Sequence, residues 1–191
     1  EKLRAIMGKD VSIIAKIESR LGIENINDIL NVADEILIDR GDLSREVAIE
    51  SIPYVQKHII KMANSKNILV HVATNLLESM VMSPKPTRAE VNDVMNTLLD
   101  GADGLVLAAE TAIGKYPVQC VNMIDTLIRQ FGSQSNVSGM GVIAKPSVSL
   151  ISPHGGKLIE RVTSQNDYHE RLPRLVIDDT QMSDVRHIAT G

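Results

Sequence analysis

Short apolar runs alternate with amphipathic segments over the first 131 residues of the chain. The apolar runs predict four strands: VSIIAKI, EILID, NILVHVAT and GLVLAA. After each run, apolar residues recur every three or four positions, which predicts a helix. The runs are apolar throughout, as in strands that are covered on both faces. This order therefore predicts an α/β fold with a parallel sheet.

Local signals support several of the helices. Thr87 and Glu90 have the spacing of a capping box, and Gly101 follows as a stop signal. Pro53 and Pro117 stand where the second and last helices are expected to begin. The first helix is expected in IENINDILNVA, residues 23–33.

The size of the alternating part leaves two folds open. Four βα units take up roughly 130 residues, whereas a complete (β/α)₈ barrel needs about 250. Periodicity alone is compatible with a small open sheet or with half of a barrel.

Residues 132–150 have the scattered glycines and small polar residues of a linker. From residue 151 the pattern resumes, and residues 151–191 are expected to begin a second, β-rich domain. The chain opens at Glu1 in what reads as the end of a helix, so we expect it to be a piece of a longer protein.

The composition of the chain bears on its possible partners and on its cellular compartment. A net charge of −4 with 2% aromatic residues gives no reason to expect nucleic acid as a partner. No apolar run reaches the length of a membrane span, so no membrane partner is expected either. The single Cys120 excludes an internal disulfide, fits a reducing cytoplasmic compartment and is expected to be a buried small side chain.

Reactive side chains follow each predicted strand at its carboxyl end, where the loops of parallel α/β folds bind ligands. A cluster of carboxylates favours a hard divalent cation such as Mg²⁺, and a lysine beside it favours an anionic substrate. Such residues also serve as helix caps or solvated loop residues, and that alternative stays open for each of them. The residues are Lys16 and Glu18, Arg40 to Asp42, Thr74 and Asn75, and Glu110 and Thr111.

Three stretches resemble a known family in order and spacing: IIAKIESRLGIENINDIL, ILIDRGDL and HVATNLLESMVMSPKPTRAEVNDVMNTLLDGADGLVLAAETAIGKYP. They are similar to the second half of the pyruvate kinase barrel, over roughly residues 1–130. The resemblance implies half of a pyruvate kinase-type (β/α)₈ TIM barrel, as a domain at residues 1–131. It also implies a Mg²⁺-dependent enzyme that transfers a phosphoryl group from phosphoenolpyruvate to ADP, giving pyruvate and ATP.

The resemblance implies roles for the charged residues. Lys16 matches the lysine that stabilises the phosphoryl group in transfer, and Glu18 and Asp42 match the carboxylates that hold Mg²⁺ or Mn²⁺. A K⁺ ion is possible in the family, but its ligands are absent from this sequence. Phosphoenolpyruvate or pyruvate and ADP or ATP are the implied small-molecule partners, and the intact parent is expected to be a homo-oligomer.

The resemblance also implies a substrate-binding loop and a proton relay. Arg40, Gly41 and Asp42 match a loop whose backbone N–H groups hold the substrate carboxylate. Thr74 matches a threonine beside the enolate carbon, and Glu110 an acid of the relay behind it.

Departures from the family pattern bear on activity. The residue before Arg40 is usually small and apolar, whereas here Asp39 adds a negative charge near an anionic substrate. The family's Ser-Gly before Glu110 is Ala108-Ala109, which removes a hydroxyl from the relay. The first four barrel strands and the ADP contacts are missing, so residues 1–191 alone are expected to be inactive.

The tail resembles a second family. PHGGKL and SDVRHIATG are similar to the N-terminal beginning of sulfate adenylyltransferase (ATP sulfurylase). Two hypotheses stay open: a parent with pyruvate kinase activity, or a non-catalytic pyruvate kinase-like module fused to a sulfate-activating enzyme.

A half barrel would leave its first and fourth strands without partners. The sequence therefore predicts that the chain dimerises, or is stable only within a longer parent.

Overall fold

The structure, a computed structural model, describes residues 2–7, 11–135, 150–151, 157–159 and 174–177. Its first part contains α1 (Lys2–Met7), β1 (Ile14–Ile17), α2 (Arg20–Glu24), α3 (Ile26–Leu30), β2 (Glu35–Asp39) and α4 (Arg40–Leu43). Then follow a 3-10 turn (Ile49–Ser51), α5 (Ile52–Ser65), β3 (Leu69–Ala73) and a second 3-10 turn (Glu78–Val81). The remaining elements are α6 (Arg88–Leu99), β4 (Gly104–Leu107), α7 (Ala109–Ala112), α8 (Pro117–Ser135), β5 (Leu150–Ile151), β6 (Lys157–Ile159) and β7 (Arg174–Ile177).

The four predicted strands form one parallel sheet in chain order, β1-β2-β3-β4. The expected parallel α/β fold is therefore confirmed, and four adjacent βα units are consistent with part of a barrel. Two apolar clusters hold the helices to the strands. Ile36, Val72 and Ile59 belong to the cluster under α5. Leu105 and Ile124 belong to the cluster shared by β4, α6 and α8.

The helix expected over residues 23–33 is instead two short helices that meet at Asn25. Ser19 caps α2 by accepting a hydrogen bond from the Gly22 N–H at 3.2 Å. The Asn25 backbone leaves the helical region, with φ −100° and ψ 16°, and its side-chain amide donates to the Leu21 carbonyl at 2.9 Å. The Asn25 backbone N–H donates to the same carbonyl at 3.1 Å, so both groups of Asn25 satisfy a carbonyl at the end of α2.

The capping box at Thr87 is confirmed, since the Thr87 and Glu90 side chains each accept a backbone N–H. Gly101 follows α6 with a positive φ of 97°, a conformation that glycine adopts without strain. Cys120 is fully buried, as expected. Among the described helices, none has the length and apolar character needed to cross a bilayer.

The expectation of an unpaired β4 is wrong. β4 pairs with β7 in parallel, from Gly104 opposite Arg174 to Leu107 opposite Ile177. β7 also pairs with β5, which pairs with β6. The last helix continues to Ser135, four residues into the range expected to be a linker. Most of residues 136–191 lie outside the described residues, including SDVRHIATG and all of PHGGKL except Lys157 and Leu158 of β6.

Candidate functional site

The ends of β1 and β2 bring together Lys16, Glu18, Asp39 and Asp42, which we call the charged cluster. Ile17 pairs with Ile38, so the next residues, Glu18 and Asp39, are neighbours at the carboxyl edge. The Lys16 Nζ lies 2.7 Å from an Asp39 carboxylate oxygen, 2.9 Å from Glu18 and 3.6 Å from Asp42. The two-residue spacing of Lys16 and Glu18 thus gives an ion pair, as expected for a strand.

Asp39 is the most buried member of the charged cluster. Its side chain is 8% exposed, against 48% for Lys16. Its Oδ1 accepts the N–H groups of Gly41 at 3.1 Å and of Asp42 at 3.3 Å, so Asp39 caps the first turn of α4. The same oxygen lies 3.1 Å from the Thr74 hydroxyl.

The ion pairs change the acidity of both partners. The hydrogen bond to Asp39 raises the pKa of Lys16 well above its ordinary value, against partial burial, and Glu18 raises it further. Burial alone would raise the pKa of Asp39. The Lys16 ammonium and the Asp42 N–H outweigh it, so the pKa of Asp39 lies below its ordinary value. The ionised forms of both groups therefore stabilise each other.

Thr74 and Asn75 have left-handed backbones, with φ of 69° and 53°. This conformation is strained for a β-branched residue such as threonine, and the strain must be held by other contacts. Arg40 supplies them: its guanidinium donates to the Thr74 carbonyl at 2.9 Å and to the Asn75 carbonyl at 3.0 Å. It also forms an ion pair with Asp93 of α6 at 2.7 Å. The Arg40 side chain therefore positions the loop after β3.

The strained loop in turn places the Thr74 hydroxyl. Its Oγ1 accepts the Gly41 N–H at 2.7 Å. A Cβ at Gly41 would lie 3.3 Å from this oxygen and 3.4 Å from Asp39 Oδ1. The close approach of the loops leaves little room for a side chain at Gly41.

Glu110 lies at the other end of the same edge. It is 2% exposed. One of its oxygens accepts the Leu77 N–H at 3.0 Å and the other accepts the Ala108 N–H at 2.9 Å. An open cleft of about 420 Å³ has Thr74, Glu78, Ala108 and Glu110 among its lining residues. Glu110 therefore shares this cleft with Thr74, while the ion pairs of Lys16 go to Glu18, Asp39 and Asp42.

Three carboxylates could hold a metal ion. Glu18, Asp39 and Asp42 each offer an oxygen, and these oxygens lie within 4.8 Å of one another. Oxygen donors of this kind fit a hard divalent cation such as Mg²⁺. The residue motifs indicated Glu18 and Asp42 but missed Asp39 as a third donor. Its position directly before Arg40, at the end of a strand, was the available signal.

A family model for the pyruvate kinase barrel domain matches residues 1–121. The chain belongs to the pyruvate kinase family. The family resemblance of the barrel motifs is therefore confirmed. The family model does not extend to the residues that resemble sulfate adenylyltransferase.

Pyruvate kinases are among the curated relatives of the chain. The chain is 45% identical to the pyruvate kinase of Thermotoga maritima over 123 residues, which are 64% of this chain and 26% of that protein. It is 44% identical to the pyruvate kinase of Methanocaldococcus jannaschii over 120 residues, which are 63% of this chain and 27% of that protein. The chain thus spans about a quarter of the length of these relatives.

Proposed function

We propose that the chain supplies the metal- and phosphoryl-binding part of the site of a phosphotransferase. In an intact parent protein, that enzyme moves a phosphoryl group from phosphoenolpyruvate to ADP with Mg²⁺ or Mn²⁺. The observation that carries the proposal is the charged cluster, in which Lys16 lies within 3.6 Å of Glu18 and Asp42 at the edge of a pyruvate kinase-type sheet.

The residues of the cluster suit phosphoryl transfer, which depends mostly on positioning and charge stabilisation. Glu18 and Asp42 would hold the divalent cation, and the cation would neutralise charge on the phosphoryl oxygens. Lys16 would stabilise the negative charge of the transferred group.

The neighbouring loops suit the rest of the substrate. The N–H groups of Gly41 and Asp42, in the turn that Arg40 begins, would hold a substrate carboxylate. The hydroxyl of Thr74 and the carboxyl group of Glu110 border one cleft. This arrangement supports their proposed roles beside the enolate carbon and in a proton relay.

We infer that residues 1–191 alone do not catalyse the reaction, because relatives with this activity in their names are about four times as long as the matched part. A coupled assay is expected to show no ATP formation from phosphoenolpyruvate and ADP. ATP formation by this chain would contradict the inference.

A measurement of metal binding tests the proposal independently of catalytic activity. Mn²⁺ titration followed by electron paramagnetic resonance is expected to show a site that Glu18→Gln and Asp42→Asn each weaken by about tenfold or more. Glu24→Gln and Asp28→Asn remove exposed carboxylates of α2 and α3 and are the matched controls. Equal Mn²⁺ affinity in the cluster variants and the controls would refute the metal site.

One observation favours the second candidate, a non-catalytic module fused to a sulfate adenylyltransferase. Asp39 already satisfies Lys16 and the N–H groups of Gly41 and Asp42, which a phosphotransferase would offer to its substrate. The sequence likeness of residues 151–191 to that enzyme supports the fusion. Sequencing the parent gene on both sides separates the candidates, since a complete barrel favours the first and a complete sulfate adenylyltransferase favours the second.

A further inference from the structure

Strand β4 has a strand partner on each side, although the four βα units end with it. β3 pairs with it in parallel from Gly104 to Val106, and β7 pairs with it in parallel from Gly104 to Leu107. Parallel partners need a long connection, which residues 108–173 with helix α8 provide. β7 therefore extends the sheet in the same sense as a further βα unit would, but it comes from the tail of the chain.

The outer strands of the four βα units, β1 and β4, differ in how they are covered. Among the described strands, β1 has a strand partner on one side only, and its residues Ile14 and Lys16 are exposed. All four residues of β4 are buried, and β4 lies between two strands. An edge strand presents a row of backbone N–H and C=O groups that can pair with another strand. On β4, the groups of this row face β7 instead of solvent.

We propose that the edge of β4 that faces away from β3 is a docking surface for a parallel apolar strand, and that Arg174–Ile177 is an exchangeable occupant of it. In a closed (β/α)₈ barrel, the same edge pairs with a further strand of the barrel. One edge pairs with one strand at a time, so pairing with β7 and closure of a barrel at β4 exclude each other. A parent protein with a complete barrel must therefore release β7. This proposal goes beyond the proposed function and does not depend on the metal site.

The sequence of β7 suits an occupant that can be exchanged. Leu175, Val176 and Ile177 are apolar and two of them are β-branched, which favours an extended strand. Pro173 precedes the strand and Asp178 follows it, and both residue types are depleted in strands, so the paired segment is short. When a strand is added to a sheet edge, the affinity comes mainly from backbone hydrogen bonds. A different apolar strand can therefore take the same place.

Amide hydrogen exchange of the full chain, followed by nuclear magnetic resonance, tests whether β7 covers β4. Val176→Pro removes an N–H from a strand that has partners on both sides, and proline is not tolerated there. The β4 amides that face β7 are expected to exchange about tenfold or more faster in this variant. The amides of β2, which lies between β1 and β3, are the internal reference and are expected to stay unchanged. Native exchange rates throughout β4 in Val176→Pro would overturn the proposal.

Two further variants at the same position separate strand pairing from a general loss of structure. Val176→Ile keeps a β-branched side chain and the N–H, and is expected to show native exchange in β4. Val176→Gly keeps the N–H but favours a strand less, so a smaller acceleration is expected in the same β4 amides, including where the proline variant does not fold. Equal acceleration in β2 and β4 in the glycine variant would contradict the proposal, because β7 would then support the whole sheet.

A peptide tests whether the occupant can be exchanged. The peptide RLPRLVIDDT, which copies residues 171–180, is added to Val176→Pro at about millimolar concentration, comparable to the effective concentration of a tethered segment. It is expected to restore slow exchange in β4, whereas the control peptide RLPRLPIDDT is expected to have no effect. Failure of the first peptide, or equal restoration by both, would refute the docking surface. If it is refuted while Glu18→Gln still weakens Mn²⁺ binding, the proposed function stands.

Discussion

The two halves of the carboxyl edge of the sheet contain buried or half-buried carboxylates with different partners. At the β1–β2 edge, which is the charged cluster, Asp39 and its neighbours surround the Lys16 ammonium. At the β3–β4 edge, formed by the loop of residues 74–82 with Glu90 and Glu110, the carboxylates bind backbone N–H groups. Glu90 accepts the Ser79 N–H at 2.6 Å, and Glu110 accepts those of Leu77 and Ala108.

The different partners indicate which carboxylates can bind a ligand and which ones hold the loops in place. A carboxylate paired with a half-exposed ammonium can exchange that partner for a metal or an anion at modest cost, because solvent remains close. A buried carboxylate that satisfies backbone donors cannot leave without stranding them. Glu18 and Asp42 of the β1–β2 edge are therefore the carboxylates suited to binding. Asp39, which also accepts the N–H groups of Gly41 and Asp42, and the carboxylates of the β3–β4 edge fix the shape of the loops.

The largest expected effect is at Glu110. Glu110→Ala leaves the N–H groups of Leu77 and Ala108 without their acceptor, and is expected to lower the free energy of unfolding by about 3 kcal/mol. Urea unfolding with an unchanged m-value is the measurement. The control Glu78→Ala removes an exposed carboxylate of the same cleft and is expected to cost less than about 0.5 kcal/mol. Similar losses in both variants would remove the distinction between the two edges.

The elements of both edges could be predicted from local sequence, because apolar runs and a capping box act over a few residues. The strands, the start of α6 at Thr87 and the burial of Cys120 follow from such signals. The pairing of β4 with β7 could not be predicted, since it depends on residues that are distant in sequence.

Only part of the charged cluster could be predicted, because some of its contacts join residues that are distant in sequence. The spacing of Lys16 and Glu18 predicts their contact, because Lys16 lies on β1 and Glu18 follows directly after the strand in the same extended direction. The contact of Asp39 with Lys16 depends on the register of β1 against β2, which no local pattern gives. The positive φ of Thr74 could not be predicted from the sequence either, because β-branched residues rarely adopt that conformation.

The next effect is at Arg40, which joins the two edges. Arg40→Met keeps most of the side-chain volume but removes the donors to the Thr74 and Asn75 carbonyls, and is expected to cost about 2 kcal/mol of unfolding free energy. Faster hydrogen exchange at Asn75 to Leu77 would show that the loop is the part affected. Arg45→Met, which removes an exposed guanidinium, is the control. Unchanged exchange in Arg40→Met would mean that the loop does not need this side chain.

A smaller, pH-dependent effect is expected at Glu90. Burial would raise the pKa of Glu90, but its bonds with Ser79 and Thr87 outweigh this and hold the pKa below its ordinary value of 4.5. The stabilisation is therefore present above that value and is lost as the pH falls through the lower pKa of the folded state. Glu90→Gln is expected to cost about 1 kcal/mol at pH 7 and to make stability less sensitive to acid below pH 4.5. Unfolding curves from pH 7 to pH 3 measure both, and a native-like acid dependence in Glu90→Gln would contradict the prediction.

The smallest effect on stability is expected at Lys16, although it lies at the centre of the charged cluster. Lys16→Met removes three ion pairs but keeps the N–H and hydroxyl partners of Asp39, so the loss is expected to stay below about 1 kcal/mol. Repulsion among the remaining carboxylates is screened by solvent and salt, so the loss should shrink further at high ionic strength. Lys57→Met, which breaks the pair of a half-exposed lysine with the largely buried carboxylate of Asp100, is the matched control. A loss in Lys16→Met several times that of Lys57→Met, and insensitive to salt, would show that the β1–β2 edge is as structural as the β3–β4 edge.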